Sequence, residues 1–234
     1  MSTPVISCVI PVFNGERYIR ETIERVLQQS VAVADIIVVD DGSTDETAGI
    51  VRSFGDRVRL LQEPNAGPAA ARNLGVTQSI GEFITFQDAD DLWSIDKTQI
   101  QLRAFADDPL LMICVGHVEN FASPDVPAEM QLPDFAARNK PMAGYTTPCL
   151  MVRRKVFDAV GMFDANLKHT DAGEWFKRAR ALGVKEKLLP DVLVQRRLHA
   201  TNRSRVFADE SRAEFLQLLK AGLDRQRIGG AGAS

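Results

Sequence analysis

The sequence predicts a single α/β domain in which helices flank a mostly parallel central sheet. Short apolar runs rich in β-branched residues alternate with helix-like segments through the first half of the chain. These runs have the continuous apolar character of strands that are buried on both faces. Capping and turn residues separate them, and the resulting β-α-β-α-β-α-β order implies parallel strands joined by right-handed crossovers.

The first two strands and the helices after them have clear local signals. Val5–Val12 and Asp35–Asp40 are the predicted strands. Asn14 is predicted to cap the first helix. The apolar side of that helix is formed by Tyr18, Ile19, Ile23, Val26 and Leu27. Ser43–Glu46 has the spacing of a capping box and predicts a second helix that ends at Phe54.

The next two strands complete the regular half of the chain. Arg57–Gln62 is predicted as a short third strand and Glu82–Gln87 as the fourth. Between them, Pro68 fits the first turn of a helix that runs to about Ser79.

The second half of the chain is less regular. We expect helices over residues 94–106, 155–160, 171–182 and 209–227, and strands over residues 110–117, 145–152, 184–189 and 192–198. Residues 121–143 contain four of the eleven prolines and are predicted to form a long loop. Residues 229–234 are predicted to be a disordered tail.

Composition excludes several classes of function. A net charge of −3 gives no electrostatic footprint for nucleic acid. The three cysteines are scattered without metal or redox spacing, which favours a reducing compartment. Neither a secretion signal nor an apolar run long enough to span a bilayer is present in the sequence, so a cytoplasmic location is expected. Peripheral membrane contact stays open, because Arg and Lys are frequent in the C-terminal third.

Polar residues follow each of the four early strands. They are Asn14, the run Asp40–Ser43, the run Asn65–Asn73 and the acidic cluster Asp88–Asp91. The carboxyl ends of parallel strands lie on one edge of a sheet, so these residues are expected to converge on one ligand. Carboxylates this close repel one another unless solvent or a shared cation relieves the repulsion. The sequence therefore favours a divalent metal and a phosphorylated substrate, while an acidic capping loop is the plainer alternative.

Four ordered motifs carry a family resemblance. They are VISCVIPVFN, VVDDGSTD, NAGPAAARNLG and GEFITFQDADD, within about the first 100 residues. This pattern resembles the family 2 glycosyltransferases, which are nucleotide-sugar-dependent enzymes of the GT-A fold. The likeness continues more weakly through Val156–Asp164, His169–Trp175 and Arg196–His199. It implies one GT-A-like domain over residues 1–228, with a donor and metal half (1–118), an acceptor half (119–206) and a C-terminal helix (207–228).

The resemblance implies roles for the residues at the donor side. Asp41 would bind the nucleotide base beside an apolar wall of Pro11 and Phe13. The remaining residues implied to bind the nucleotide sugar are Asn65, Arg72, Asp88 and Asp90. Arg72 would contact the diphosphate, Asp88 the ribose, and Asp90 the metal, which would be manganese or magnesium. Turn or salt-bridge roles remain open for Asp41, Asn65 and Arg72.

The resemblance also implies a catalytic residue and a second metal ligand. Asp171 would be the general base, although it could instead only cap a helix, and Glu174 is the back-up candidate. Thr170 stands where the family usually carries Glu. His199 would be a further metal ligand, unless it has a structural role.

The expected function is therefore inverting transfer of a sugar from a nucleotide diphosphate donor, with UDP as the expected nucleotide. The acceptor could be a saccharide, a lipid-linked sugar or a peptide. Two alternatives stay open at this point, a nucleotidyltransferase and a non-catalytic nucleotide-sugar-binding protein. Oligomeric state is not predicted.

Overall fold

The structure, a computed structural model, describes residues 4–123, 140–199 and 202–230. The strands are β1 Ile6–Val12, β2 Asp35–Asp40, β3 Arg59–Gln62, β4 Phe83–Phe86, β5 Leu92–Trp93, β6 Ile113–Ala122, β7 Met142–Ala143, β8 Met151–Arg153 and β9 Glu186–Leu198. The α-helices are α1 Ile19–Leu27, α2 Thr47–Arg52, α3 Pro68–Gln78, α4 Lys97–Asp107, α5 Lys155–Val160, α6 Asp171–Ala181, α7 Arg203–Val206 and α8 Ala208–Gly230. Short 3₁₀ turns lie at Gly55–Arg57 and Thr147–Cys149.

All nine of these strands belong to one sheet. Its order is β3-β2-β1-β4-β8-β6-β9-β5, and β7 pairs with β6. The first four neighbours are parallel, as is the long β6–β9 pair, whereas β8 lies antiparallel between β4 and β6. The predicted α/β fold with a mostly parallel sheet flanked by helices is confirmed.

The two faces of the sheet are covered by different helices, because alternate residues of each strand point to opposite sides. Ile6, Cys8 and Ile10 of β1 share one core with side chains of α1 and α4. Val9 of β1 shares the other core with α3, α5 and α6. Helix α3 approaches β1 so closely that a Cβ on Gly75 would lie 2.2 Å from Val9.

Two cap predictions are wrong. Helix α1 begins at Ile19 and α2 at Thr47, and neither has a side-chain cap. Asn14 instead adopts a left-handed φ of 50°. Its Oδ1 accepts the Thr44 N–H at 2.8 Å, and its own N–H donates to Ser43 Oγ at 2.9 Å. The two loops satisfy each other's backbone groups, and this joins the ends of β1 and β2.

Two further differences in the second half lie in segments that contain proline. The predicted strand over 145–152 is interrupted by a 3₁₀ turn at Thr147–Cys149, because Pro148 fixes φ and lacks an N–H, and regular strand pairing begins only at β8. The two strands predicted over 184–198 form one strand, β9. Its register against β6 shifts between Val115 and Val118, and Pro190 lies between the paired residues Leu188 and Val192.

The remaining differences concern short or terminal segments. Strand β5 has only two residues and was not predicted, and β6 extends five residues beyond the predicted end at residue 117. Most of the predicted loop over 121–143 lies outside the described residues. Helix α8 runs to Gly230, so the first two residues of the predicted tail are helical, and residues 231–234 lie outside the description. None of the described helices combines the length and apolar character that crossing a bilayer requires.

A buried lysine lies in the core beneath α4. Lys97 is fully buried, and its Nζ donates to Thr85 Oγ1 at 2.7 Å and to Gln101 Oε1 at 2.9 Å. The same ammonium lies 4.0 Å from the centre of the Trp93 ring. Burial lowers the pKa of Lys97 to about 8. No carboxylate is paired with this cation among the described residues, so the fold holds it by dipoles and an aromatic face alone.

This lysine predicts a pH dependence of stability. Between the folded pKa of about 8 and the ordinary value of 10.5, the unfolded chain binds more protons, so stability rises with pH. Relative to Lys97→Met, the wild-type free energy of unfolding should gain about 2 kcal/mol from pH 7 to pH 9.5. Urea titrations at both pH values measure this difference. Lys155→Met, at an exposed position, is the control. The prediction would be contradicted if the difference in free energy of unfolding between wild type and Lys97→Met were the same at pH 7 and pH 9.5.

Candidate functional site

The loop after β2 is fastened to the loop after β3 by one aspartate. Asp41 is buried, and its two carboxylate oxygens accept the N–H groups of Ala66 at 2.6 Å and Gly67 at 2.9 Å. Gly42 follows with a φ of 80°, which favours glycine, and a Cβ there would lie 3.1 Å from the Asn65 nitrogen. Asp41 therefore sets the position of the turn that leads into α3.

The predicted apolar wall lies at the same edge. Pro11 is buried within β1, and Phe13, just beyond the end of that strand, is 51% exposed. The Asp41 N–H donates to the Val12 carbonyl at 2.8 Å, which brings the chain on either side of Phe13 against the start of the Asp41 loop. Asn65 is exposed beside this loop. Phe13, Asp41 and Asn65 thus follow the carboxyl ends of the neighbouring strands β1, β2 and β3.

Arg72 joins two carboxylates that are far apart in sequence. It lies on the second turn of α3 and is 8% exposed. Its Nη1 donates to Asp171 Oδ2 at 2.8 Å and its Nη2 donates to Asp88 Oδ1 at 3.1 Å. Asp171 is the first residue of α6, with only 6% of its side chain exposed, whereas 37% of the Asp88 side chain is exposed. The guanidinium fork therefore connects the buried carboxylate to the open acidic cluster.

The ionisation of Arg72 and that of its neighbouring carboxylates depend on one another. Burial alone would lower the pKa of Arg72, but Asp171 and then Asp88 outweigh it and raise that pKa above its ordinary value. Desolvation and the nearby Asp90 raise the pKa of Asp88, against the opposing effect of Arg72. The Arg72 Nε has no hydrogen-bond partner among the described residues. Arg72 is consequently a permanent positive charge at the floor of an acidic site.

Asp90 and His199 face each other across the site. His199 Nε2 lies 2.9 Å from Asp90 Oδ2, and the imidazole is 7% exposed against 31% for the Asp90 side chain. The backbone N–H of His199 donates to Asn202 Oδ1 at 2.6 Å, and Asn202 Nδ2 donates to the same Asp90 oxygen at 3.4 Å. The ring of Tyr18 contacts the imidazole at a centroid distance of 4.8 Å. The two predicted metal ligands are therefore adjacent, although 109 residues separate them in sequence.

A buried arginine holds the backbone of the acidic turn that carries Asp90. Arg197 Nε donates to the Asp90 carbonyl at 3.0 Å, its Nη2 donates to Glu21 at 2.6 Å, and its N–H donates to Asp91 Oδ1 at 2.9 Å. Burial, and then the charges of Asp90 and Asp88, raise the pKa of Asp91 well above its ordinary value. Arg197 is thus committed to holding the acidic turn. Asp91 is buried and accepts this bond from β9.

The Asp90 carboxylate and the His199 imidazole suit a divalent cation that takes most of its ligands from a substrate. Asp90 and His199 supply one carboxylate and one imidazole, while the described residues contain no cluster of three or more His, Cys, Asp or Glu able to hold a metal. Mg²⁺ and similar ions are commonly held by one or two protein groups plus substrate phosphates and water. A cation here would therefore depend on the phosphorylated ligand for its remaining coordination.

The structure brings the predicted residues together at one edge of the sheet. Pro11 lies near the end of β1, and the loops after β1, β2 and β3 carry Phe13, Asp41 and Asn65; α3 and the loop after β4 carry Arg72, Asp88 and Asp90; α6 and the end of β9 add Asp171 and His199. Glu174, the back-up base, pairs through both oxygens with Arg178 Nε at 2.8 and 2.9 Å. Asn202, Arg203 and Glu214 also contact this region and were not predicted, because their partners are distant in sequence.

The family of this domain is shown by its sequence. Residues 7–161 match the family described as Glycosyl transferase family 2, which is more than half of the chain. The chain belongs to glycosyl transferase family 2.

Relatives in sequence have the same character. An uncharacterized glycosyltransferase of Rickettsia typhi is 31% identical over 84% of this chain and 65% of its own length. Chondroitin synthase of Pasteurella multocida is 26% identical over 96% of this chain but only 24% of its own. The chain thus spans just under two thirds of the Rickettsia relative and a much smaller share of the synthase.

Solved structures agree on the fold. TarS of S. aureus, residues 1–349 in complex with UDP-GlcNAc, superposes with a TM-score of 0.68 at 23% identity, over 86% of this chain and 60% of that one. The same TarS fragment in complex with UDP gives a TM-score of 0.65 at 24% identity, over 83% of this chain and 60% of that one. The predicted GT-A fold is confirmed by this likeness.

Proposed function

We propose that this domain transfers a sugar from a UDP-sugar to an acceptor hydroxyl, with inversion at the anomeric carbon. The observation that carries the proposal is the pair of hydrogen bonds that Arg72 makes to Asp171 and to Asp88. These partners lie 99 and 16 residues from Arg72 in the sequence. The bridge supports the proposal because it holds the buried Asp171 carboxylate close to the acidic cluster that would bind the donor. Structural relatives that bind UDP and UDP-GlcNAc support the choice of nucleotide.

The nucleotide would lie over the loops after β1, β2 and β3. The exposed Phe13 ring and Pro11 would provide an apolar wall for the base, with Asp41 and Asn65 offering polar contacts. Asp88 would contact the ribose through the part of its carboxylate that is exposed. Arg72 would supply positive charge to the diphosphate while its Nη groups hold the two carboxylates.

Asp90 and His199 would hold a manganese or magnesium ion together with the diphosphate. When bound, that ion would offset the negative charge of the diphosphate as it leaves. This chain's residues prepare the pair: Arg197 fixes the Asp90 backbone, and Asn202 fixes the backbone of His199. Without a cation, three carboxylates in the run Asp88–Asp91 would repel a diphosphate.

Asp171 would act as the general base. The acceptor oxygen forms its bond to the anomeric carbon, its proton passes to Asp171, and the bond between the anomeric carbon and the diphosphate oxygen breaks with both electrons leaving on UDP. Arg72 holds Oδ2 of Asp171, while Oδ1 accepts no hydrogen bond within the described part of the chain. That oxygen therefore remains available for the acceptor proton.

The acceptor would bind in the half formed by residues 119–206. A saccharide, a lipid-linked sugar and a peptide side chain all present the hydroxyl that this chemistry needs. Family membership favours transfer of a sugar over nucleotidyl transfer. The remaining alternative is a protein that binds nucleotide sugars without turnover, and the following experiment distinguishes it from a transferase.

The test combines binding with turnover. Calorimetry with UDP-GlcNAc and other nucleotide sugars, with and without manganese, measures donor choice, and release of UDP in the presence of an acceptor panel measures transfer. We expect metal-dependent binding and release of UDP that depends on the acceptor. Tight donor binding without turnover across saccharide, lipid-linked and peptide acceptors would instead indicate a binding protein.

Asp90→Ala should remove the metal-dependent part of donor binding. Asp90 is the carboxylate that contacts His199 in the described part of the chain, so UDP affinity in manganese should fall at least about tenfold when it is lost. Asp107→Ala, an exposed aspartate at the end of α4, is the matched control and should bind as wild type does. An Asp90→Ala variant that keeps the wild-type gain in UDP affinity on addition of manganese would reject the assignment.

A further inference from the structure

We propose that Glu214 of helix α8 is a positioning residue for the general base Asp171. The inference rests on the proposed function, because it assigns a role in the same reaction. Glu214 lies 43 residues beyond Asp171 in the sequence, in a helix that contributes no residue to the donor side described above. Its carboxylate nevertheless lies against the segment that leads directly into Asp171.

Four hydrogen bonds fix that segment to one side chain. Glu214 Oε2 accepts the Lys168 N–H at 3.0 Å, and Oε1 accepts the N–H groups of His169 at 3.0 Å and Thr170 at 2.8 Å. The Thr170 hydroxyl donates to the same Oε1. Three consecutive backbone donors ahead of α6 are therefore satisfied by one carboxylate, which also suits the positive end of that helix.

The ionised form of Glu214 suits this arrangement. Burial acts to raise its pKa, but the hydrogen bonds from Thr170, Lys168 and His169 outweigh burial and hold the pKa below its ordinary value. Only a carboxylate offers two oxygens that both accept. An amide in the same position would direct its NH₂ group toward backbone N–H groups.

Two further contacts hold the same segment from the same side. Arg203 Nη2 donates to the Lys168 carbonyl at 3.0 Å, and the ring of Phe207 lies 5.6 Å from that of His169. Arg203 of α7, Phe207 in the turn after it and Glu214 of α8 thus all contact residues 168–170. We call residues 168–170 the base loop.

The base loop determines where Asp171 can be. Asp171 follows Thr170 directly, and its carboxylate is held at the other end by Arg72. Loss of the Glu214 contacts would free the backbone before Asp171 while leaving Arg72 in place. A displacement of about 1 Å at a reacting group can reduce a rate by about a hundredfold. The donor residues lie on other elements, so donor binding should be spared.

The test uses Glu214→Gln, which keeps the size of the side chain and removes its second acceptor. We expect kcat for acceptor-dependent UDP release to fall by about ten- to a hundredfold, with UDP affinity within about twofold of wild type. Glu214→Asp, which keeps the charge, should recover part of kcat. Glu210→Gln, on the same helix and exposed, is the control for the charge change and should match wild type.

Hydrogen exchange of the peptide that contains residues 168–171 gives a readout without turnover. Exchange should quicken in Glu214→Gln and stay unchanged in Glu210→Gln. Unchanged exchange would show that Glu214 does not hold the base loop. Faster exchange with an unchanged kcat would overturn the positioning role. A wild-type protein that binds donor without turnover would instead reject the proposed function, from which this role derives.

Discussion

Asp171→Asn is expected to reduce sugar transfer by about a thousandfold, because general base catalysis contributes rate factors of this order. The amide keeps the shape of the carboxylate and can still accept the Arg72 hydrogen bond, which measures 2.8 Å to Oδ2 in the wild type. It cannot take the proton of the acceptor. UDP affinity should change little, because the amide can keep the bond to Arg72 and none of the residues expected to bind the nucleotide is altered. Acceptor-dependent UDP release and calorimetry with UDP measure the two quantities.

Glu174→Gln is the matched control on the same helix. Glu174 is engaged with Arg178 one turn further along α6, so its loss should affect kcat much less than loss of Asp171. The reverse order of effects would transfer the base assignment to Glu174. Equal and small losses for both variants would leave neither carboxylate as the base.

Arg72→Met is expected to destabilise the fold by about 3 to 5 kcal/mol, the usual cost of removing one partner from a buried ion pair. Methionine fills much of the volume but leaves the Asp171 carboxylate, 6% exposed, without its cation. Urea unfolding at neutral pH measures the loss. A change below about 1 kcal/mol would mean that the pair behaves as an exposed salt bridge.

A double-mutant cycle isolates the Arg72–Asp171 interaction. Adding Asp171→Asn to Arg72→Met removes the unpaired charge, so the double variant should recover a large part of the lost stability. Strictly additive losses would contradict a direct coupling between the two side chains.

The Arg72→Met variant also tests whether Arg72 recognises the diphosphate or the nucleoside. Binding of UDP to Arg72→Met should weaken far more than binding of uridine, because only UDP carries the diphosphate that the guanidinium would attract. Equal losses for the two ligands would reject a role of Arg72 at the diphosphate.

Central strands were the most predictable part of this fold. β1, β2 and β4 were each located within two residues, because strands buried on both faces read as uninterrupted apolar runs. Loop conformations were not predictable in the same way. Asn14 has a sequence that suits a helix cap, but its hydrogen bonds go to Ser43 and Thr44, and a local pattern does not contain that partner.

The candidate site shows the same division. Residues at strand ends, such as Asp41 and Asp90, were predicted because parallel strands bring their carboxyl ends to one edge. Asp171 and His199 were implied only by family resemblance, since 99 residues separate Asp171 from Arg72 and 109 separate His199 from Asp90. Glu214 had no signal at all, because one acidic residue on a polar helix face resembles any other.

Strand β8 has a consequence for how the chain folds during synthesis. β8 covers the edge of β4, whose four residues are all buried, and the paired residues of β8 are made 66 to 70 residues later. Until Met151–Arg153 leaves the ribosome, one side of β4 presents unpaired amide and carbonyl groups beside apolar side chains. Such an edge is a template for pairing with another nascent chain. We therefore expect aggregation of stalled or truncated products that end between β4 and β8, and recovery of solubility once the later strand is included.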